Sequence, residues 1–293
     1  MELRQLEHFL RVLDAGSYRA AATELGLTQQ ALSKSVTALE KRLGTLLLKR
    51  GRDGVSTTEL GTDVARRARA IVSECRELRR EIDTRLGRFR RTVRIGAGPS
   101  VAGNLVANAS LQLTKEHPGI RVVVEGGTFY SMLDRLLAGD LDLLITIEPE
   151  RAARHELISM EKMGDEECVI AARAQHPLAA KTKVRLSDTA KFPWIVGRGM
   201  TTLMKSVENA FKEEGTAMPP FSIETTSVDY LRAALAQSNA LCILPRHLIS
   251  LDEQSGMLTA LRLQRTWSRP IALSYRRNST RSPLVLKFIE YLN

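Results

Sequence analysis

The sequence predicts an all-α segment at the N-terminus, then one long helix, and then a larger α/β segment. At the N-terminus, apolar residues recur at helical spacing and stop at glycines. Residues 59–86 contain no proline and carry a narrow apolar seam, which is typical of one extended helix. Residues 92–293 alternate short strand-like runs with helical patterns. A chain of 293 residues is long enough for about two domains of roughly 150 residues each.

Three helices are predicted at the N-terminus. The first stops at Gly16, and Ser17 is a suitable N-cap for the second because its hydroxyl can accept a hydrogen bond from a free backbone N–H. The second helix ends at Gly26, and Thr28 can cap a third helix over residues 29 to about 42. A helix, a short turn containing glycine and another helix form the pattern of a helix-turn-helix.

The predicted third helix has an apolar face and a polar face. The apolar face is expected to point to the core and consists of Leu32, Val36, Leu39 and Leu43. The polar stripe consists of Gln30, Ser33, Lys34 and Thr37. Short hydrogen-bonding side chains with few acids suit a helix that enters the major groove of DNA, and an ordinary solvated face is the alternative.

A basic hairpin is predicted after this helix. Residues 49–58 combine a glycine turn with three cations, Lys49, Arg50 and Arg52, as in a wing that contacts phosphates or the minor groove. Residues 1–91 hold 19 Lys/Arg and 12 Asp/Glu, a net charge of +7, whereas the rest holds 24 and 21, a net charge of +3. This concentration favours a polyanionic partner, although a charge that serves solubility alone would give the same numbers.

The seam of the long predicted helix indicates self-association. Its residues alternate in steps of four and three: Val64, Ala68, Ile71, Cys75, Leu78 and Ile82. A helix cannot bury so narrow a seam alone, which favours a dimer, and the alternative is a seam buried against the chain's own domain. Cys75 is interpreted as a small buried hydrophobe and not as a redox thiol. Residues 87–91 are interpreted as a hinge.

Residues 92–293 predict an α/β arrangement with a parallel sheet. The expected strands are 93–96, 120–125, 141–145, 168–171, 194–196, 221–225, 241–245 and 271–275. The expected helices are those around Leu105–Leu113 and residues 132–137, 204–211, 228–236 and 284–292.

The loop at residues 96–103 follows a strand and opens a helix, but it fits neither of two catalytic motifs. Val101 stands where a dinucleotide-binding loop has its third glycine, and Ala102 stands where a nucleophile elbow around Ser100 needs glycine. The histidines and the three cysteines show no metal-ligand spacing. We therefore expect no enzymatic activity, no cofactor and no metal. The free N–H groups of the loop and the Ser100 hydroxyl can instead bind an anion.

A ligand site is predicted at the carboxyl ends of the strands, where doubly wound sheets bind ligands. The candidate residues are Pro99, Ser100, Val101, Thr128, Phe129, Thr146, Met200, Thr201, Thr202 and Ser227. For each hydroxyl the alternative is a helix cap or a residue on the strand surface. The convergence of these residues on one place favours the ligand site, and the expected ligand is a small carboxylate.

The N-terminal residues resemble the signature of LysR-type transcriptional regulators. The resemblance rests on Leu6, Phe9, Gly16, Ser17, Ala21, Ala22, Leu25, Thr28, Gln29, Ala31, Leu32, Ser33, Leu39, Glu40, Leu43, Gly44, Leu47, Arg50, Thr58 and Gly61. Farther along, residues 139–142 (Gly-Asp-Leu-Asp) and Pro245 match the family's effector domain. The sequence departs from the family pattern at Gln30, where proline is usual, at Leu48, where phenylalanine is usual, and at residues 238–240, where a glycine pair is usual.

The resemblance implies two α/β lobes of the periplasmic-binding-protein type in the C-terminal part. The expected domains are a winged helix-turn-helix DNA-binding domain at 1–58, a linker and dimerisation helix with a hinge at 59–91, and an effector-binding domain at 92–293. Lobe one is expected at about 92–160 and 267–293, and lobe two at about 161–266.

The predicted DNA-contacting set joins helix caps, the polar stripe and the wing: Ser17, Thr28, Gln29, Gln30, Ser33, Lys34, Thr37, Lys49, Arg50 and Arg52. The expected partners are double-stranded promoter DNA, a small-molecule effector, RNA polymerase and further copies of the chain, as a homodimer or homotetramer. The chain has no apolar run near the roughly 18 residues of a membrane span, and acids stand at its N-terminus. We therefore expect no membrane partner and a cytoplasmic location.

Two other classes of function make different predictions. A solute-binding or metabolic lobe pair with a dimerising head predicts turnover of a bound compound and a neutral head, whereas the head carries +7. A sequence-neutral architectural protein predicts equal affinity for all DNA, and it leaves residues 92–293 without a purpose.

Overall fold

The computed structural model describes residues 1–51, 54–86, 92–149, 155–198, 200–277 and 281–292. Within it the chain separates into two compact units. Met1–Arg91 and Asp134–Leu141 make up the first, and Thr92–Leu133 and Asp142–Asn293 make up the second.

The N-terminal helices confirm the predicted helix-turn-helix. The helices are α1 (Leu3–Asp14), α2 (Tyr18–Leu25) and α3 (Gln29–Leu43). Both predicted caps form, since Ser17 Oγ accepts a hydrogen bond from the N–H of Ala20 at 3.1 Å and Thr28 Oγ1 accepts one from the N–H of Ala31 at 3.2 Å. The helices pack around Phe9, Val12, Ala21, Leu32, Val36 and Leu39. The prediction that Leu43 faces this core is wrong, because it lies in the last turn of α3 and is 40% exposed.

The predicted hairpin consists of β1 (Leu48–Gly51) and β2 (Gly54–Thr57), which pair antiparallel. Val55 N–H donates to the carbonyl oxygen of Gly16 at 2.8 Å, so the hairpin is fixed to the turn between α1 and α2. Gly54 has φ +108°, and a Cβ there would lie 2.7 Å from that same oxygen. This close approach explains a glycine at the start of β2.

The long helix α4 (Glu59–Arg85) begins two residues after the end of β2. Thr58 Oγ1 accepts a hydrogen bond from Gly61 N–H at 2.9 Å and donates one to the carbonyl oxygen of Leu46 at 2.8 Å. A Cβ on Gly61 would lie 1.9 Å from the carbonyl oxygen of Leu47. The first turn of α4 therefore has room only for a glycine at this position.

The apolar seam predicted on α4 is divided between two environments. Ala68 is buried in the N-terminal core and Val64 packs against it, so for these two residues the dimer prediction is wrong and burial in the chain's own domain is correct. Ile71, Leu78 and Ile82 are 42, 57 and 47% exposed. For this second half of the seam, which we call the exposed seam, the dimer remains a prediction.

Lobe one is built on the parallel strands β3 (Thr92–Ala97), β4 (Arg121–Gly126) and β5 (Leu143–Ile147), with β3 in the middle. Its helices are α5 (Pro99–Val101), a π-helical turn (Ala102–Val106), α6 (Ala107–Glu116), α7 (Phe129–Ala138) and, from the chain's end, α12 (Pro283–Glu290). The strand predicted from Leu141 begins two residues later. There the Asp142 carboxylate, and not a backbone carbonyl, accepts the N–H of Arg94 at 2.7 Å.

Lobe two is built on β7 (Trp194–Gly197) and β8 (Phe221–Thr225), which are parallel, and on β9 (Cys242–Pro245) and β10 (Leu258–Ala260). Its helices are α8 (Leu186–Thr189), α9 (Thr201–Glu213), α10 (Val228–Ala236) and α11 (Ser250–Gln254). Trp194 and Phe211 lie edge to face in its core. The sequence analysis missed α8, α11 and β10, which are too short to show a clear period.

Two long strands connect the lobes. β6 (Ile158–Arg173) and β11 (Trp267–Arg276) run antiparallel to each other, and the sheet order is β10-β6-β11-β5-β3-β4 with β9 also on β6. The prediction of a parallel sheet is therefore wrong for these strands. The first half of β6 is rich in charged residues, so only its apolar end at residues 168–171 was recognised as a strand.

Candidate functional sites

The predicted base-reading stripe forms one surface on α3. Gln29, Gln30, Lys34 and Thr37 are exposed, and Ser33 is half-buried. With Ala38 and Lys41 they line a groove of about 530 Å³. This lining contains no carboxylate, which suits a surface that approaches phosphates.

Two contacts that the sequence analysis did not predict hold α3 in place. Glu40 Oε1 accepts hydrogen bonds from the N–H groups of Leu47 and Leu48 at 2.8 and 3.2 Å, which ties the end of α3 to the start of the hairpin. His8 Nδ1 lies 2.8 Å from Ser35 Oγ, and burial lowers the pKa of His8, so the ring is neutral at pH 7. Glu40 was recognised only as part of the family signature.

The other predicted DNA-contacting residues are placed as follows. The hydroxyls of Ser17 and Thr28 cap α2 and α3, and Lys49 is exposed on β1. Arg50 lies in β1, but its side chain is outside the described part of the chain, and so is the whole of Arg52.

In lobe one, the candidate ligand residues differ in what they offer. Thr146, at the end of β5, is 2% exposed, and its Oγ1 has no hydrogen-bond partner among the described residues. Gly98 packs on it, since a Cβ there would lie 3.4 Å from Thr146 Cα. Ser100 is also buried, and Val101 belongs to the core of lobe one. The end of β5 and the loop after β3 therefore meet, and Thr146 supplies a buried hydroxyl without a partner in the described part of the chain.

The remaining lobe-one candidates have local roles. Thr128 is exposed and forms a reciprocal cap with Ser131, in which each side chain accepts the other's backbone N–H, at 3.3 and 3.0 Å. For Thr128 the cap that was the alternative does form. Phe129 is buried at the start of α7, whereas Pro99 is exposed.

In lobe two, the cavity that one candidate lines contains none of the lobe-one candidates. Met200 lines a cavity of about 860 Å³ formed wholly by lobe-two residues, including Met204, Met218 and Lys205. Ser227 caps α10 by accepting the N–H of Tyr230 at 3.2 Å, as its alternative predicted. Thr202 is exposed in the first turn of α9. Thr201 begins this helix, and its side chain lies outside the described part.

A hydrogen bond joins the loop of lobe one to the end of a lobe-two strand. His247 Nε2 lies 2.6 Å from the carbonyl oxygen of Ser100 and can donate to it. His247 belongs to the short 3₁₀ helix Arg246–Ile249 that follows β9. The sequence analysis considered the histidines only as possible metal ligands, since no local pattern reveals a partner 147 positions away.

A buried ion pair joins the long strands, and the sequence analysis missed it. Glu166 on β6 stands opposite Arg269 on β11, and Arg269 Nη2 donates to Glu166 Oε1. The two residues are 5 and 9% exposed. Cys168 follows on β6, where burial raises the pKa of its thiol to about 11, and burial raises that of Cys242 to about 12. Both thiols therefore stay protonated at neutral pH.

The described residues contain no group of three or more His, Cys, Asp and Glu that could hold a metal ion. No helix in the same part of the chain is both long enough and apolar enough to cross a membrane.

Relatives of known family match most of this chain. It is 32% identical over 264 residues, 89% of the chain and 85% of the relative, to the SDS degradation transcriptional activation protein of a Pseudomonas species. It is 28% identical to the transcriptional regulator PcaQ of Agrobacterium fabrum, over 98% of the chain and 92% of the relative.

Solved structures share the fold. CbnR, a LysR family transcriptional regulator, in complex with its target DNA has a TM-score of 0.61 at 21% identity, covering 100% of this chain and 99% of that one. A full-length OxyR variant from Pseudomonas aeruginosa has a TM-score of 0.69 at 18% identity, covering 100% and 94%.

Two family models account for most of the chain. The bacterial regulatory helix-turn-helix of the lysR family matches residues 3–62, and the LysR substrate binding domain matches residues 86–293. The chain therefore belongs to the LysR family of transcriptional regulators, which bind DNA through the helix-turn-helix and carry an effector-binding domain.

Proposed function

We propose that this regulator binds promoter operators as a dimer or tetramer and that a small carboxylate, bound between the two lobes, controls it. The observation that carries the carboxylate proposal is the buried hydroxyl of Thr146 at a strand end, which has no hydrogen-bond partner among the residues that the structure describes. Ligands of such sheets bind at this edge. The regulator acts by binding alone, with RNA polymerase as a further partner, in the cytoplasm, where promoter DNA lies.

The DNA-binding proposal assigns different tasks to two groups of side chains. Base edges are read by the side chains that line the groove on one face of α3, namely Gln29, Gln30, Ser33, Lys34 and Thr37. The cations of the hairpin, Lys49, Arg50 and Arg52, bind phosphates and so add affinity that does not depend on sequence. Ser17 and Thr28 contact the phosphate backbone of the DNA at the helix N-termini that they cap.

The dimer proposal rests on the exposed seam. Ile71, Leu78 and Ile82 present apolar side chains in line on α4. A second copy of the same helix is their natural cover, since a coiled-coil seam buries itself against its like. Two-fold pairing would also set the distance between two helix-turn-helix units on DNA.

The effector proposal places a carboxylate near Thr146, Ser100 and the first turn of α9, where Thr202 lies. A hydroxyl and the free N–H groups of a 13-residue helix favour an anion. Control of transcription requires that the ligand bind two arrangements of the lobes with different affinity. The bond between His247 and Ser100 belongs to one such arrangement.

The test is thermal unfolding of the full chain with a panel of small aromatic and aliphatic carboxylates. A ligand at one hundred times its dissociation constant stabilises the folded state by about 2.7 kcal/mol. We expect stabilisation of the native chain and of Thr114→Val, an exposed threonine on α6, and much less of Thr146→Val. Carboxylates that stabilise Thr146→Val as strongly as the native chain would contradict the placement. A panel without any stabilising carboxylate would contradict the ligand class.

A further inference from the structure

The positive charge of the C-terminal part is concentrated in one segment. Residues 173–191 hold five Lys/Arg and one Asp/Glu, a net charge of +4. Residues 92–172 and 192–293 together hold the other 19 and 20, a net charge of −1. The surplus of this part of the chain therefore comes from that segment, whereas charges that serve solubility need no such concentration.

The segment lies at the end of lobe two that is remote from the proposed effector site. Over its 13 residues, α9 runs about 20 Å away from the candidate ligand residues in its first turn. Just past its last turn, the Glu214 carboxylate accepts hydrogen bonds from the N–H groups of Leu186 and Ser187 at 3.4 and 2.9 Å. We call this end of lobe two, formed by residues 181–191 and 262–265, the far pole.

Two cations stand side by side on the far pole. Val184 pairs with Leu263 in a parallel bridge, and its N–H donates to the carbonyl oxygen of Arg262 at 3.0 Å. Val184 is buried, whereas Lys183 and Arg262, which precede the two paired residues, are both exposed. Neighbouring strands lie about 4.8 Å apart, so these two like charges repel each other unless an anion approaches both.

The acids of the far pole are already engaged with other groups. Asp188 pairs with Lys181 and Arg185 at 3.5 and 3.4 Å. Glu213 pairs with Arg265 at 2.6 Å. Three exposed cations, which we call the far-pole cations, have no ion pair within the part of the chain that the structure describes: Lys183, Lys191 and Arg262.

The composition of this surface distinguishes between two classes of anionic partner. Protein interfaces are centred on apolar or aromatic side chains, and charged residues are depleted there. Residues 173–191 and 262–265, which are all described, contain no large exposed hydrophobic residue. The phosphates of nucleic acid are bound mainly by Lys and Arg and need no apolar contact. The far pole therefore fits duplex DNA better than an acidic protein.

We propose that the far pole of lobe two binds the phosphate backbone of duplex DNA, as a second DNA contact of this regulator beside the helix-turn-helix. The far-pole cations carry the contact, which does not depend on base sequence. Since the helix-turn-helix binds the operator, the far pole binds DNA that flanks it. Each phosphate contact releases counterions, so this one adds affinity that falls as salt rises.

The experiment compares two duplexes with the full chain, by gel shift at several salt concentrations. One duplex is an operator that the native chain selects from random DNA, and the other carries the same operator between flanks of about 150 base pairs, one persistence length of DNA. The far-pole variant is Lys183→Gln/Lys191→Gln/Arg262→Gln. The control removes three exposed cations elsewhere in the C-terminal part, Lys115→Gln/Arg121→Gln/Arg277→Gln. All six side chains are exposed, so urea unfolding should show native stability for both.

On the flanked duplex, we expect the slope of log affinity against log salt to fall by about two units or more in the far-pole variant and to stay native in the control. On the operator alone the three proteins should have equal slopes. Hydroxyl-radical footprints on the flanked duplex should extend beyond the operator with the native chain and shrink to the operator with the far-pole variant.

Three results would overturn the inference and leave the proposed function standing. The first is a native slope for the far-pole variant on the flanked duplex, or an equal fall for the control. The second is an equal fall on both duplexes, which would place the contact within the operator. The third is a native slope in a far-pole variant that no longer regulates transcription by purified RNA polymerase, because the far pole would then bind an acidic protein.

Discussion

The polar side chains of Gln30, Lys34 and Thr37 on α3 are exposed to solvent. Those of Thr146, Glu166 and Arg269 in the C-terminal unit are buried, and each has a polar atom without a hydrogen-bond partner in the described part of the chain. The ligands that we propose for the two regions, DNA and a small molecule, differ in size, and this accounts for the difference. DNA offers a large contact surface, and its phosphate charge supplies much of the affinity. The protein therefore needs only to present solvent-exposed polar groups on a rigid helix. A small ligand must gain its affinity from few contacts, and polar atoms already removed from water supply more per contact.

The largest effect is expected where the first turn of α4 packs against the segment between α3 and the hairpin. Gly61→Ala places a Cβ 1.9 Å from the Leu47 carbonyl oxygen, and backbone must move to admit it. We expect a loss of about 3 kcal/mol in the stability of the N-terminal unit, with loss of DNA binding and with carboxylate binding retained. Urea unfolding and DNA affinity measure it.

Gly103→Ala is the control for this change, because its Cβ would meet open space. If Gly61→Ala kept the DNA affinity and the stability of the native chain, the first turn of α4 could move away from Leu47 without loss of stability, and the prediction would be wrong.

The next effect concerns the hydrated surface. Gln30→Ala is expected to cost about 1–3 kcal/mol on an operator selected by the native chain from random DNA, and almost nothing on unselected DNA. Fluorescence anisotropy with both DNAs gives the ratio. Gln112→Ala, an exposed glutamine on α6, is the control. An unchanged ratio for Gln30→Ala would remove it from the base-reading residues.

A smaller and sequence-independent effect is expected from the hairpin. Arg52→Ala should weaken operator and random DNA alike and reduce the slope of log affinity against log salt by about one unit. The same anisotropy measurements at several salt concentrations give this slope. Lys115→Ala, an exposed cation on α6, should leave the slope as it is. A loss confined to the operator would mean that Arg52 reads bases.

The buried region predicts an effect of opposite sign. Thr146→Val keeps the shape of the side chain and removes a buried hydroxyl that is unpaired within the described part of the chain. Without ligand we expect a gain of about 1 kcal/mol in stability, because the desolvation cost disappears. Thr114→Val should show no such gain. Urea unfolding measures it, and a destabilised Thr146→Val would mean that the hydroxyl already has a partner, such as ordered water.

The smallest effect is a pH dependence of the N-terminal unit. Burial lowers the pKa of His8 below its usual 6.5, so the unfolded chain binds the proton more tightly than the folded one. The stability is therefore full above pH 6.5 and falls as the pH drops through and below 6.5.

Burial also lowers the pKa of His176 in lobe two, so His176 adds to the pH dependence of the native chain. The contribution of His8 is therefore measured by comparing the native chain with His8→Gln. Urea unfolding at pH 7.5 and 5.5 should give a smaller decrease for the variant. Equal decreases would show that His8 does not contribute.

The sequence determined the parts whose causes are local. The caps at Ser17 and Thr28, the glycine that ends α2 and the two faces of α3 depend on neighbours within a few residues, and the chain carries those neighbours in order. In the C-terminal part, β8 and α10 have the predicted bounds for the same reason. The helical spacing of the apolar residues in the second half of the seam was also predicted from the sequence, and their exposure is known only from the structure.

Only the tertiary structure decided what depends on distant partners. It assigned Val64 and Ala68 to the chain's own core, extended β6 through charged residues, and turned the expected parallel sheet into a mixed one. It also placed His247 against Ser100 and Glu166 against Arg269. Residues 103 or 147 positions apart meet only because whole strands and lobes pack together, and no local period or spacing encodes which polar atoms that packing leaves without a partner.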